Sequence, residues 1–194
     1  MTTVSIPQWL SPPSMPCPNG RQLPGAIIPI VAVLRQLADV ISAMTDEQYR
    51  TKPVGVVSSN VGGHVRHCLD HLDALLAGVE RGEVDYDRRQ RGTEVETSRA
   101  AALDAIRRQE RQLLAFPRRS EGCRLRLSAM LGSELAPVEV ETTVGRELAF
   151  VLSHTVHHNA LIAVMAKTLG VPVPERFGYA PSTIAHLEKT ACAR

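Results

Sequence analysis

Six of the seven histidines in this chain fall into two groups, His64, His67 and His71 in one and His154, His157 and His158 in the other, with His186 apart. Imidazole nitrogens at this density are metal-ligand chemistry before they are anything else, because they suit Zn, Ni, Fe and Cu at neutral pH. If the second group lies on a helix, His154 and His158 stand one turn apart on one face and can point at a common atom. A third ligand must then come from another element. The first group offers His67 with His64 one turn before it and His71 one turn after it on the same face. Three protein nitrogens leave a coordination position open, which is the pattern of a catalytic site. A His-x-x-x-His spacing alone also occurs on solvated helix faces. For His64, His71 and His157 individually, a place as an outer partner of a ligand, a solvated side chain or a satisfied core residue is the leading reading.

The elements that must carry these groups are helices. Ile27, Ile30, Val31, Leu34, Leu37 and Ile41 recur every three or four residues and predict a first helix over about 26–44. Thr45 before Asp46 and Glu47 caps a short turn, and Pro53 with Gly55 ends it. A second helix starts at Ser58 or Ser59, carries the first histidine group and ends near Val79 before Gly82. Gly62 and Gly63 cost it about 1 kcal/mol each relative to Ala, so a close approach or room for a ligand is expected there. Residues 83–97 are charged and lack apolar periodicity, which predicts a long loop. A third helix spans Ser98 to Phe116 and stops at Pro117. Between Cys123 and Thr143 apolar and polar residues alternate, the pattern of a small hairpin. Thr142 or Thr143 caps a fourth long helix that carries the second histidine group to about Leu169, and Ser182 or Thr183 caps a short last one.

Residues 1–24 hold six prolines and read as an extended arm, leaving 25–194 as a single helical domain. Two of the three ligands would sit mid-helix among apolar neighbours and so put an ion inside the bundle, where unpaired imidazoles are costly to bury.

Composition excludes several functions. Aromatics are 4% of the chain, hydrophobic residues 44% and charged residues 22%, a balance that favours helix over strand. A net charge of +2 with both signs interspersed offers no basic face to nucleic acid. No run approaches the roughly 20 apolar residues that cross a bilayer, and the N-terminus lacks a basic segment followed by an apolar core, so neither membrane insertion nor secretion is expected. Cys17, Cys68, Cys123 and Cys192 are scattered without a Cys-x-x-Cys, which argues against a disulfide framework and against a cysteine zinc site; a reducing cytoplasm is the expected compartment. Cys68 adjoins His67 but is turned about 100° from it on a helix, so it belongs to the core and not to the ion.

Gly63-His64-Val65-Arg66-His67-Cys68-Leu69-Asp70-His71 together with Ser153-His154-Thr155-Val156-His157-His158 resemble the DinB-like superfamily, and the resemblance runs from the first helix to the last loop. It implies an all-α, four-helix bundle with the proline-rich arm before it and the hairpin before the last long helix. It also implies a divalent metal on one histidine of the second helix and on a His-x-x-x-His pair of the last. That set carries over to His67, His154 and His158; the acidic or polar residue that follows the family's ligand by three places, here Asp70, points to His67, with His64 as the competing choice. The family includes thiol-dependent S-transferases, isomerases and metal-dependent hydrolases, so the fold does not decide the reaction. The Asp85-Tyr86-Asp87 loop, Gly145-Arg146-Glu147-Leu148 and Phe177-Gly178-Tyr179-Ala180-Pro181-Ser182-Thr183 resemble a subgroup with no assigned activity.

The expected function is therefore a metal-dependent enzyme acting on a small molecule, by hydrolysis or by transfer involving a low-molecular-weight thiol. Its ion would be Zn or Ni first, with Fe or Mn as alternatives. Asp70, Asp87, Glu147 and His157 are the candidates for acid, base or supporting roles, and Arg66, Arg89, Arg91 and Arg146 for an anionic substrate. Each of these charged residues also reads as a surface ion pair or helix-end residue. The competing readings are a non-catalytic metal-binding or stress-associated protein whose ion joins two helices, and an interaction module with incidental histidines. A homodimer is compatible with an arm that covers its own bundle or a partner's equally well.

Overall fold

The computed structural model of the chain describes residues 25–55, 58–88, 92–116 and 121–192. The expected arm, Arg89 and Arg91 lie outside the described residues.

The first apolar stripe becomes the buried face of α1 (Ile27–Ser42), with Ile27, Ile30, Leu34, Leu37 and Ile41 almost wholly out of solvent. A short α2 (Asp46–Arg50) follows. Thr45 accepts from the Gln48 amide and Gln48 reaches back to the Thr45 amide, a reciprocal cap that satisfies two otherwise orphaned donors. The helix that bears the first histidine group, α3 (Val61–Arg81), is capped by Asn60, whose side chain accepts from the Gly63 amide at 2.7 Å. The cap is thus Asn60, one residue beyond the expected serines. Gly82, at φ +77°, closes α3 in the left-handed conformation that glycine adopts without strain.

Gly62 is explained by backbone approach. A Cβ there would run into the Glu96 carbonyl and the Tyr49 ring, because a 3₁₀ turn at Glu94–Glu96 lies directly on the first turn of α3.

The charged stretch after α3 is not wholly loop. Glu83–Asp85 forms β1, which a residue-by-residue alternation cannot reveal in three positions with one buried side chain, Val84. After α4 (Arg99–Leu114), capped by Ser98, come β2 (Arg124–Ala129) and β3 (Val138–Thr143). β2 pairs with β3 antiparallel, Leu127 opposite Val140, which is the expected hairpin. It also pairs with β1 in parallel, Val84 opposite Leu127, so α4 lies on the crossover that parallel neighbours require. The expectation of an all-α chain is corrected by this three-stranded sheet in a mostly helical fold.

Thr143 ends β3 and caps α5 (Val144–Thr168) by accepting from the Arg146 amide, and α6 (Pro181–Cys192) completes the described chain. α3 packs on α5 and α4, and α1 packs on α4 and α5, so the four long helices share one core. By length and composition α5 also qualifies as a membrane-crossing segment, at mean hydropathy 1.3, which the reading of the sequence did not anticipate. Buried Glu147, Thr155, His158 and Asn159 lie along it, and it packs on α1 and α3 as a core helix does.

Candidate metal centre

Both histidine groups sit mid-helix, and α3 against α5 brings them together. The rings of His64 and His158 have centroids 5.2 Å apart, His67 lies 4.7 Å from His158 and 4.9 Å from His154, and His71 lies 4.2 Å from His154. Advancing along α3 therefore means retreating along α5, and the rings alternate as a column in the order His64, His158, His67, His154, His71. His154 and His158, one turn apart, are 4.6 Å from each other.

Within the column, His67, His71 and His154 each offer a ring nitrogen, all within 4.8 Å of one another. Two nitrogens bound to one ion at about 2.0–2.1 Å can be no more than about 4.2 Å apart, so these nitrogens draw closer together when they bind one.

The electrostatics suit a cation. Burial, then the neighbouring charges of His154, His64, His157 and His71, hold the His158 pKa down at about 3, so the ring is neutral at pH 7 and keeps a lone pair. Burial and then His157 lower His64 as well. His64 Nε2 is buried without a hydrogen-bond partner among the described residues, a cost that a polar or cationic neighbour would remove.

Tautomers narrow the roles. His71 Nδ1 lies 2.9 Å from the His67 carbonyl, which can only accept; Nδ1 carries the proton, and in the neutral ring Nε2 holds the lone pair. His64 Nδ1 and His158 Nδ1 are 2.9 Å apart, so one of them donates. When His158 donates, its own Nε2 is the ligand atom. When His64 donates, the lone pair on Nε2 belongs to His64. Where that one proton sits decides which of His64 and His158 offers Nε2 as a lone pair.

Behind the column stands a buried carboxylate. Glu147, in the first turn of α5 and fully buried, accepts from the Tyr86 hydroxyl at 2.8 Å, from Thr142 Oγ1 at 2.6 Å and from Arg146 Nη1 at 2.8 Å. Burial and then the Glu147 charge push the Tyr86 hydroxyl pKa up, so it stays a donor. The Tyr86 ring stacks on His71, and Phe150 packs against Tyr86 and His154, with the Arg146 guanidinium 5.2 Å above the Phe150 ring. Tyr86 and Phe150 have no role in the reading of the sequence and Thr142 only that of an alternative helix cap; the signal for Tyr86 is its place in the Asp85-Tyr86-Asp87 phrase.

The other expected site residues are distributed differently. Arg66 bridges Asp70 at 2.6 Å and Glu96 at 3.0 Å. Arg66 and Asp70 line a cleft of about 380 Å³ between α3 and α4, with Asp73, Arg88 and Arg108. Asp87 Oδ2 accepts from the Met130 amide at 2.8 Å and so ties the loop after β1 to the end of β2. His157 is exposed, its ring 5.3 Å from His158. Cys68 is buried and free, and burial pushes its thiol up, as a packing residue requires. Cys123 is buried and disulfide-bonded, against the expectation that the scattered cysteines form no disulfide framework.

A family model described as the DinB superfamily matches residues 30–162, which include both histidine groups. Over 107 residues the sequence is also 34% identical to FK506-binding protein 5 of Rhizopus delemar, a match that covers 55% of this chain and 28% of that protein. The binding in that name is a property of the larger relative.

Proposed function

The chain belongs to the DinB superfamily, and from that premise we propose that it is a metal-dependent enzyme acting on a small molecule, with His67, His154 and His158 holding one divalent transition metal in a four-helix bundle. The observation that carries this reading is the meeting of both histidine groups in one partly buried column, where the His158 ring lies 4.7 Å from His67 and 4.6 Å from His154, and His67 and His154 belong with His71 to a set of ring nitrogens within 4.8 Å. An all-imidazole donor set fits Zn or Ni, and Fe or Mn less closely. The ion would supply Lewis acidity, for hydrolysis or for transfer involving a low-molecular-weight thiol.

The chain's own residues divide the remaining work. His67 and His154 are partly exposed, so a small molecule reaches the column from their side. His157, exposed beside His158, is the group best placed to exchange a proton with solvent. Glu147 and Arg146 act through Tyr86 and Phe150 and orient the rings. Arg66 with Asp70, and Asp87, are proposed to hold the surrounding loops, and an anionic part of the substrate is left to the arginines after Asp87.

The test is elemental analysis of protein purified without a polyhistidine tag, wild type against His67→Ala, His154→Ala and His158→Ala. Near-stoichiometric metal in the wild type and its loss in all three variants is expected. A wild type that stays empty after reconstitution with Zn, Ni, Fe or Mn sinks the reading.

A further inference from the structure

We infer that His71 is a fourth nitrogen ligand of the ion, so that α3 grips it with His67 and His71 as α5 grips it with His154 and His158. The inference rests on the metal-site reading above and adds to it a residue which the sequence treats as a bystander.

Spacing is the first reason. His67 and His71 are separated by one turn, as are His154 and His158, and antiparallel packing sets the two pairs side by side. His67, His71 and His154 are also the histidines whose ring nitrogens come within 4.8 Å of one another, so a site built on His67 and His154 has His71 at its edge already.

Orientation is the second. The His71 ring is held between two others, 5.1 Å and 12° from Tyr86 on one side and 4.2 Å and 23° from His154 on the other. Its Nδ1 proton is engaged by the His67 carbonyl at 2.9 Å. The ring can neither flip nor turn away without losing that bond and both stacks. This is the support that ligating imidazoles receive from neighbouring carbonyls, and it fixes the tautomer that presents Nε2. Tyr86 is itself anchored, its hydroxyl on Glu147 at 2.8 Å, and Glu147 is held by Thr142 and Arg146.

The chemical consequence is a four-nitrogen shell, neutral in its ligands, which keeps the full charge of a divalent ion and favours borderline metals over Mg or Ca. A substrate then enters by adding to the shell or by displacing one imidazole, on the side where His67 and His154 are exposed.

Cobalt(II) is the probe. Each imidazole bound through Nε2 carries one Nδ1 proton that the paramagnetic ion shifts far outside the normal proton NMR range, so the exchangeable shifted signals count the ligands. Wild-type protein loaded with Co(II) is expected to show four, and His71→Phe, which keeps the ring stack but has no nitrogen, three. The Co(II) Kd of His71→Phe should weaken by more than the roughly 10–100-fold that loss of an outer partner costs. His71→Gln serves the same comparison if the Phe variant fails to fold. Three signals in both proteins with equal Kd would overturn the inference and leave the three-histidine site standing. A wild type that takes up no Co(II) would overturn both.

Discussion

Tyr86 lies flat on His71, ring planes 12° apart, while its hydroxyl donates to Glu147, so one residue couples the histidine column to the buried carboxylate of α5. The two functions separate by substitution. Tyr86→Phe keeps the stack and removes only the donor, leaving Glu147 with Thr142 and Arg146. Loss of a hydrogen bond to a buried charge should cost about 1.5–3 kcal/mol in urea unfolding while metal affinity changes little. Tyr86→Leu removes the stack as well, and its metal affinity should fall by roughly tenfold or more. Equal affinity in the two variants would show that the stack does not orient His71.

Glu147→Gln keeps the shape of the side chain and removes its charge. Tyr86 donates to Oε2 whereas Thr142 and Arg146 donate to Oε1, so the single amide oxygen can serve only one side, and the amide NH₂ faces a donor on the other. Arg146 is more than half exposed, so the ion pair itself contributes little; the cost comes from the mismatched amide, about 1–3 kcal/mol in chemical denaturation. An unchanged midpoint would mean that the carboxylate is not a structural anchor.

Gly62 and Gly63 adjoin each other in the first turn of α3 and should respond unequally to Ala. At Gly62 the new methyl meets the Glu96 carbonyl carbon and the Tyr49 ring, each at 2.8 Å, and the backbone of the 3₁₀ turn must move. About 1–3 kcal/mol of destabilisation is expected. At Gly63 the new methyl meets chiefly the Ser59 side chain, which can rotate, so the gain in helix propensity, about 1 kcal/mol at most, offsets the contact. Thermal melts of both variants make the comparison; equal losses would refute it.

Such local contrasts mark what was legible in the sequence. The 3.6-residue stripe of Ile30, Leu34, Leu37 and Ile41 encodes α1 because each of these side chains reports its own burial. The histidine groups were legible for the same reason, since their spacing places them on helix faces whatever the bundle does. β1 was not, because its three residues owe their state to β2, some forty positions on, and carry no alternation of their own. The His67–His71 pair was visible at the spacing of His154–His158. What raises His71 above the other bystanders is its ring sandwich with Tyr86 and His154, a tertiary contact. The cleft shared by Arg66 and Asp70 likewise depends on where α4 lies against α3, which no spacing in either helix encodes.

Removing the ion should loosen the joint between α3 and α5 before anything else. A ligand that binds only the folded chain stabilises it by about 2.7 kcal/mol when present at 100 times its Kd. For a chain of this size that corresponds to roughly 5–10 °C in Tm. Chelation of metal-loaded protein should therefore lower the Tm by that order, and hydrogen exchange should rise first in the amides around His67 and His154, with α1 and α4 protected for longer. His154→Ala should melt at the temperature of the chelated wild type and show no further drop on chelation. A wild type whose Tm and exchange ignore both chelator and added metal would mean that packing alone joins α3 to α5 and that the column holds no ion.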